Sequence, residues 1–366
     1  MDPPTLPRAL DSIARQDHPA VEVVLVAACG PSHRPIDASA YPFTLTWVAR
    51  DGPLPRPVAA NAGLEAARGA MITMLDHDDE FLDGHLSALA AALDADPGAG
   101  GAYTRFEVAE QGEPFRTVGA AFNRLALFEK STIHHSALLW RRQLLDTGVR
   151  YDTALDIHDD WDFVLQLTER TRFAFVDQKS FRWNADTGTS GGGGLGNFDA
   201  DKYERHHMYV RGKWADTYNR HVERYNAAMA KAAAQAHAGG ARAAEGTLRA
   251  LRGDVGDDPD LLNLLASLRN RAGARDEAVD LMKRAVEQRR RIPTCGSTGA
   301  SRARERACPA RRASASSASS RSRPSMPARE PGSSGSARRR ARIAPSFSLR
   351  REPCPSATRS TPSRAA

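Results

Sequence analysis

One stretch constrains this chain more than any other: Ala70-Met71-Ile72-Thr73-Met74-Leu75-Asp76-His77-Asp78-Asp79-Glu80, a mostly apolar run that ends in a burst of carboxylates. A short apolar run bounded by Gly69 and by charges reads as a strand buried on both faces. Acids crowded at the carboxyl end of such a strand repel one another and need a reason to be there. In open α/β sheets that end of the strands is where ligands bind. The Asp76-x-Asp78 spacing suits a hard divalent cation, Mn or Mg, that keeps several waters and bridges to substrate phosphates. The plainer alternative is that Asp78, Asp79 and Glu80 cap the helix that follows, with Asp83 at its N-cap.

The rest of the first half alternates helix and strand. Leu6, Leu10 and Ile13 fall at helical spacing within residues 5–16, and Val21 to Val26 follows as a buried strand. Phe43 to Val48 reads as another strand, and a Pro/Gly-rich loop leads into a helix through Ala59, Asn61, Leu64 and Ala67. After the acidic strand comes a helix from about Asp83 to Leu93. This alternation argues for a doubly wound α/β domain. Further on, His158-Asp159-Asp160-Trp161 opens a helix with Trp161, Val164, Leu165 and Leu167 inward, and Phe173 to Val176 reads as a strand. The acid pair either caps that helix or works as chemistry: a carboxylate in a helix's first turn stays ionised, because the dipole favours the anion. His134-His135 precedes an apolar run; on a strand two neighbours point opposite ways, so at most one would face an acceptor, and satisfied structural histidines are the preferred expectation.

The segments LPRALDSIARQDHPAVEVVLV and VAANAGLEAARGAMITMLDHDDEFLDGHLSALAAAL, in that order, resemble the family 2 inverting glycosyltransferases of the GT-A fold, over roughly residues 5–190. The resemblance implies that Asp76 and Asp78 hold a divalent metal and the diphosphate of a nucleotide-diphospho-sugar, with Asn61 at the donor-binding helix start and Asp79 supporting or capping. It implies a general base in the acid pair, Asp160 first and Asp159 second; an inverting transfer needs a carboxylate to take the acceptor hydroxyl's proton. Phe181-Arg182-Trp183-Asn184 resembles the family segment carrying Arg and His near the diphosphate; Arg182 fits a phosphate contact or a solvated surface charge, and Asn184 stands where the His would be. Ser190 to Gly196 is either a flap over the donor or a linker.

Two departures from the family accompany these matches. The chain opens at the helix after the family's first strand, and the next strand ends in Ala27-Ala28-Cys29-Gly30 instead of acids. The expectation is a start placed too late or an impaired domain, with base recognition through a carboxylate lost or done otherwise.

From about residue 199 the period is helical and Ala-rich. Gly239/Gly273, Ala244/Ala278 and Leu248/Met282 are each 34 apart, which resembles tetratricopeptide helices or else is an ordinary helical hairpin. The expected divisions are residues 1–198, 199–290 and 291–366. Residues 292–366 hold sixteen Arg and three Glu, so the chain's +7 hides a remainder of −6, the difference from the tail's +13. That tail has no periodicity and reads as disordered, either a basic arm or, the preferred expectation, a repeat array continued out of frame. The acidic body does not read as a nucleic-acid-seeking protein, no specific nucleic-acid partner is expected, and binding through the basic tail ranks last. One body cysteine, Cys29, fits a reducing compartment, and no run approaches the ~20 apolar residues of a membrane span. The expected location is cytoplasmic, free or peripheral at the inner membrane face. The acceptor is a saccharide, lipid-linked glycan or protein, with a protein partner for the helices. The rival expectation is a degenerate transferase domain retained as a scaffold.

Overall fold

The computed structural model describes residues 5–30, 36–49, 51–188, Gly192 and 198–291. The expected flap at Ser190–Gly196, apart from Gly192, and the tail beyond Arg291 lie outside them. The first half is α/β. Helix α1 (Leu6–Ala14) precedes strand β1 (Glu22–Val26), which pairs in parallel with β2 (Thr44–Val48) in a sheet of its own. Helix α2 (Arg56–Ala66) returns the chain to β3 (Met71–Ile72), followed by β4 (Glu80–Phe81) and α3 (His85–Ala95). Then come the hairpin of β5 (Ala99–Glu110) with β6 (Glu113–Val118), helix α4 (Arg124–Glu129) and strand β7 (Leu138–Arg141). Helix α5 (Asp159–Thr168) and strand β8 (Arg172–Asn184) complete the half. The larger sheet runs β3-β7-β5-β8-β4, with β6 added on β5. It is mixed: β5 lies parallel to β8 and antiparallel to β7.

The α/β expectation holds, with local corrections. The run from Ala70 to Leu75 pairs only at Met71 and Ile72, and Thr73 to Leu75 leave the ladder half-buried. In β3, the terminal strand of the larger sheet, Ile72 is buried and Met71 only half-buried, so the two faces are not equally covered. Strand β1 is likewise half-buried along its length, in a sheet of two. Helix α3 is capped by Gly84 at φ 72° with no side-chain bond, not by Asp83. Its start is held by the α1 end instead. Gln16 Nε2 donates to the Leu82 carbonyl at 3.0 Å, and its Oε1 accepts from the Leu86 amide at 3.1 Å.

The second half is helical: α6 (Ala200–His237), α7 (Ala241–Val255), α8 (Pro259–Arg271) and α9 (Arg275–Arg291). The 34-residue spacing marks one turn used twice, since Gly239 and Gly273 end their helices at φ 80° and 82°, where only glycine is unstrained. Ala244 and Ala278 are both buried, whereas Leu248 is buried and Met282 is 47% exposed. One apolar core runs through both halves, from Trp140 and Trp161 to Tyr225, Leu248 and Leu265. No helix among the described residues is long and apolar enough to cross a membrane.

Candidate active site

The acid turn follows directly from β3. The Asp79 amide donates to the Asp76 carbonyl at 3.1 Å, closing a turn that brings Asp76, Asp78 and Asp79 together. The end of β8 holds that turn from outside. The Asn184 amide donates to Asp79 Oδ1 and its Nδ2 to the Asp78 carbonyl, each at 2.8 Å, so the residue in the family's His position supports the acids. Arg8 of α1 also donates to the Asp78 carbonyl, at 2.6 Å, and Thr187 Oγ1 donates to Asp78 Oδ2 at 3.2 Å. The acids do not cap α3.

The second acid pair opens α5 as expected, with Asp159 and Asp160 in the first turn behind His158. Two side chains join the pairs across the sequence. Arg56, in the first turn of α2, donates to Asp159 Oδ1 at 2.7 Å and acts electrostatically on Asp76 and Asp160 as well. His135 Nε2 lies 3.4 Å from Asp76 Oδ2, and its Nδ1 meets the Tyr151 hydroxyl at 3.0 Å. The strand placement expected for His134-His135 is corrected. The pair sits in a short 3-10 turn before β7, not on a strand, and both rings act on Asp76 and Asp160.

Charge in this cluster is far from even. Burial opposes the charge of Asp76, yet His135 and Arg56 hold it well below the usual carboxylate range. Burial, together with the charge on Asp76, pushes Asp78 and Asp79 up. Within the second pair, burial and the neighbouring Asp160 raise Asp159 despite Arg56. Asp160 is lowered instead, because His135, His134 and Arg56 outweigh its burial. His134 itself is pushed down to about 4, chiefly by burial and then by His135. Among the described residues, the Asp160 carboxylate makes no ion pair or side-chain hydrogen bond. It is the one member of the second pair that is both ionised and uncommitted.

Two other expected site residues are engaged elsewhere. Asn61 donates to the Tyr151 carbonyl at 2.9 Å and accepts from its amide at 2.8 Å, so it fixes the loop that carries the Tyr151 hydroxyl. Arg182 lies on β8 opposite Glu80 and is bonded to Glu107 at 2.7 Å and Glu80 at 3.3 Å. Among the described residues no three His, Cys, Asp or Glu side chains form a ready metal cage. The mutual repulsion of Asp76 and Asp78 is nonetheless what a divalent cation would relieve, and two carboxylates with waters and phosphate oxygens are a normal set for such an ion.

Residues 2–146 match the family model of glycosyl transferase family 2. An uncharacterized glycosyltransferase of Bacillus subtilis (strain 168), YwdF, is 27% identical over 177 residues, 46% of this chain and 65% of the relative. The chain thus spans just under two thirds of that relative's length. Among solved structures, S. aureus TarS residues 1–349 is similar at 17% identity and TM-score 0.42, covering 78% of this chain and 88% of that one. The mannosyltransferase PcManGT from Pyrobaculum calidifontis, in complex with GDP-Man and Mn2+, is similar at 17% identity and TM-score 0.38, covering 78% and 83%.

Proposed function

We propose, from the match of residues 2–146 to the family model of glycosyl transferase family 2, that the protein is an inverting glycosyltransferase using a nucleotide-diphospho-sugar. The observation that carries the reading is that Asp76 and Asp160, 84 positions apart, are both acted on by the same three side chains, Arg56, His134 and His135. A donor site and a base must lie in one cleft for transfer to occur in one step.

Asp160 takes the proton of the acceptor hydroxyl as its oxygen attacks the anomeric carbon. The bond to the diphosphate breaks on the opposite face, and its electron pair leaves with the diphosphate. Arg56 neutralises Asp159, so the adjacent carboxylate is left as the proton acceptor. Asp76 and Asp78 would hold a divalent cation, Mn or Mg, which when bound supplies charge stabilisation to the leaving diphosphate. Asn184, Arg8 and Thr187 keep the acid turn in shape. The acceptor is a saccharide, a lipid-linked glycan or a protein, and the 34-residue helical pattern, read as tetratricopeptide-like, suits a protein partner.

The test uses the full chain with Mn2+ and either UDP-GlcNAc or GDP-Man, the donors seen with TarS and PcManGT. Release of the nucleoside diphosphate is expected for at least one. Asp160→Asn should lower that release by about 10²–10⁴-fold while donor binding persists. Asp78→Ala should remove the manganese dependence of donor binding. Binding of neither donor would favour the scaffold reading.

A further inference from the structure

We propose that the first four turns of α6 act as a clamp that positions Asp160, with His206 as its central positioning residue. Asp160 sits two residues after His158, and His158 is the N-cap of α5 at φ 66°. A non-glycine residue in that left-handed conformation costs about 1–2 kcal/mol. The cap makes no side-chain hydrogen bond to the helix it opens. This strained entry therefore has to be held from elsewhere, and α6 does so from one stripe of its surface.

His206 Nδ1, in the tautomer that carries its proton on Nε2, accepts from the Asp156 and Ile157 amides at 3.1 and 3.3 Å. Tyr203 meets the His158 ring edge-on at 4.4 Å between centroids, and His207 stacks on Trp161 at 5.1 Å. About two turns further on, Lys213 bridges Asp152 and Asp162 at 2.7 and 2.9 Å, and Trp214 Nε1 donates to Asp162 Oδ1 at 2.8 Å. Residues 203, 206, 207, 213 and 214 share one helical face, at steps of three or four and then of seven, and all of them contact the segment 152–162. None of them touches the Asp160 carboxylate. Their action is on where the first turn of α5 begins, and a displacement of about 1 Å at a reacting group is enough to cost about 100-fold in rate.

The inference rests on Asp160 being the base, and the test separates the two. In the full chain, His206→Ala should lower turnover of whichever of UDP-GlcNAc and GDP-Man the wild type uses by about 10–100-fold, with that donor's dissociation constant unchanged. Amide hydrogen exchange should quicken at residues 156 and 157. His206→Asn, whose side-chain oxygen can accept where Nδ1 does, should restore most of the turnover and the slow exchange. Unchanged exchange in His206→Ala would overturn the clamp, and so would a rise in donor dissociation constant equal to the loss of turnover. If Asp160→Asn turns over normally, the base assignment fails, while the exchange measurement still decides the clamp.

Discussion

Two charged clusters in this molecule, one on each side of Asp199, are built on opposite plans. In the helical half Glu245, Arg249, Arg269 and Glu277 close a ring of ion pairs at 2.7–3.2 Å, two acids against two bases, facing solvent. In the α/β half Asp76, Asp78, Asp79, Asp159 and Asp160 face Arg56 and a histidine pair, and Asp78, Asp79, Asp159 and Asp160 sit largely out of water. The first cluster is complete in itself. The second carries more negative charge than its own side chains neutralise, and burial first and the charge on Asp76 second push Asp78 and Asp79 towards protonation. Balanced pairs at a surface tie helices together; an unbalanced buried cluster is a place that waits for charge from outside.

That contrast can be broken by experiment. The largest effect belongs to Asp160→Asn, with the loss of turnover given above. Glu277→Gln in the helical ring should leave turnover within about twofold, since an exposed pair contributes little. Equal losses in the two variants would erase the distinction.

Next comes Arg56→Met, which strands the buried Asp159. Breaking a buried pair costs about 3–5 kcal/mol, and the 38% exposure of Arg56 places the expected loss at or below the lower end. Urea denaturation measures it. Arg269→Met should move the midpoint much less, because water and salt screen its partners.

Acid should separate the halves by a smaller margin. His85 is fully buried beside Phe81, and burial pushes it down to about 3; His134 and His158 are pushed down to about 4. A histidine that is neutral in the fold takes up a proton more readily when unfolded. Its contribution is therefore fully present above an unfolded value near 6.5, and is lost as pH falls from there towards the folded value. For His85 alone the loss is roughly 2 kcal/mol between pH 7 and pH 5. Thermal melts of the wild type should fall over that range, and His85→Asn should flatten part of the slope. A melt independent of pH from 7 to 5 would contradict the neutral, buried state.

The smallest effect is in the helices. Asp258 caps α8, accepting from the Asp260 and Leu261 amides at 3.1 and 3.3 Å and from the Tyr225 hydroxyl at 2.6 Å. Asp258→Ala should cost about 1–2 kcal/mol in a urea melt and leave turnover unchanged.

Local patterns in the chain announced much of this. The apolar run ending in Asp76 and Asp78, the acid pair opening a helix at Asp159, and glycines 34 apart at 239 and 273 are all features of neighbours in sequence. Helix period, strand alternation and turn chemistry act over a few residues, so a sequence displays them directly. Even there, pairing decided how far β3 runs, because a ladder needs a partner that the run itself does not contain.

Arg56, His135 and Tyr151 carried no such signal. Arg56 reads as an ordinary first-turn arginine, and its carboxylate partner lies 103 positions away. His135 acquires a role only when Asp76 and the Tyr151 hydroxyl arrive on either side of its ring. Asn61, at a motif position, turned out to bond the backbone of a residue 90 positions distant. The sequence by itself determined which residues could carry charge and on which kind of element. Only the tertiary structure decided which charges meet, because an ion pair is set by distance in space, and folding the sheet and α6 around one core is what sets those distances.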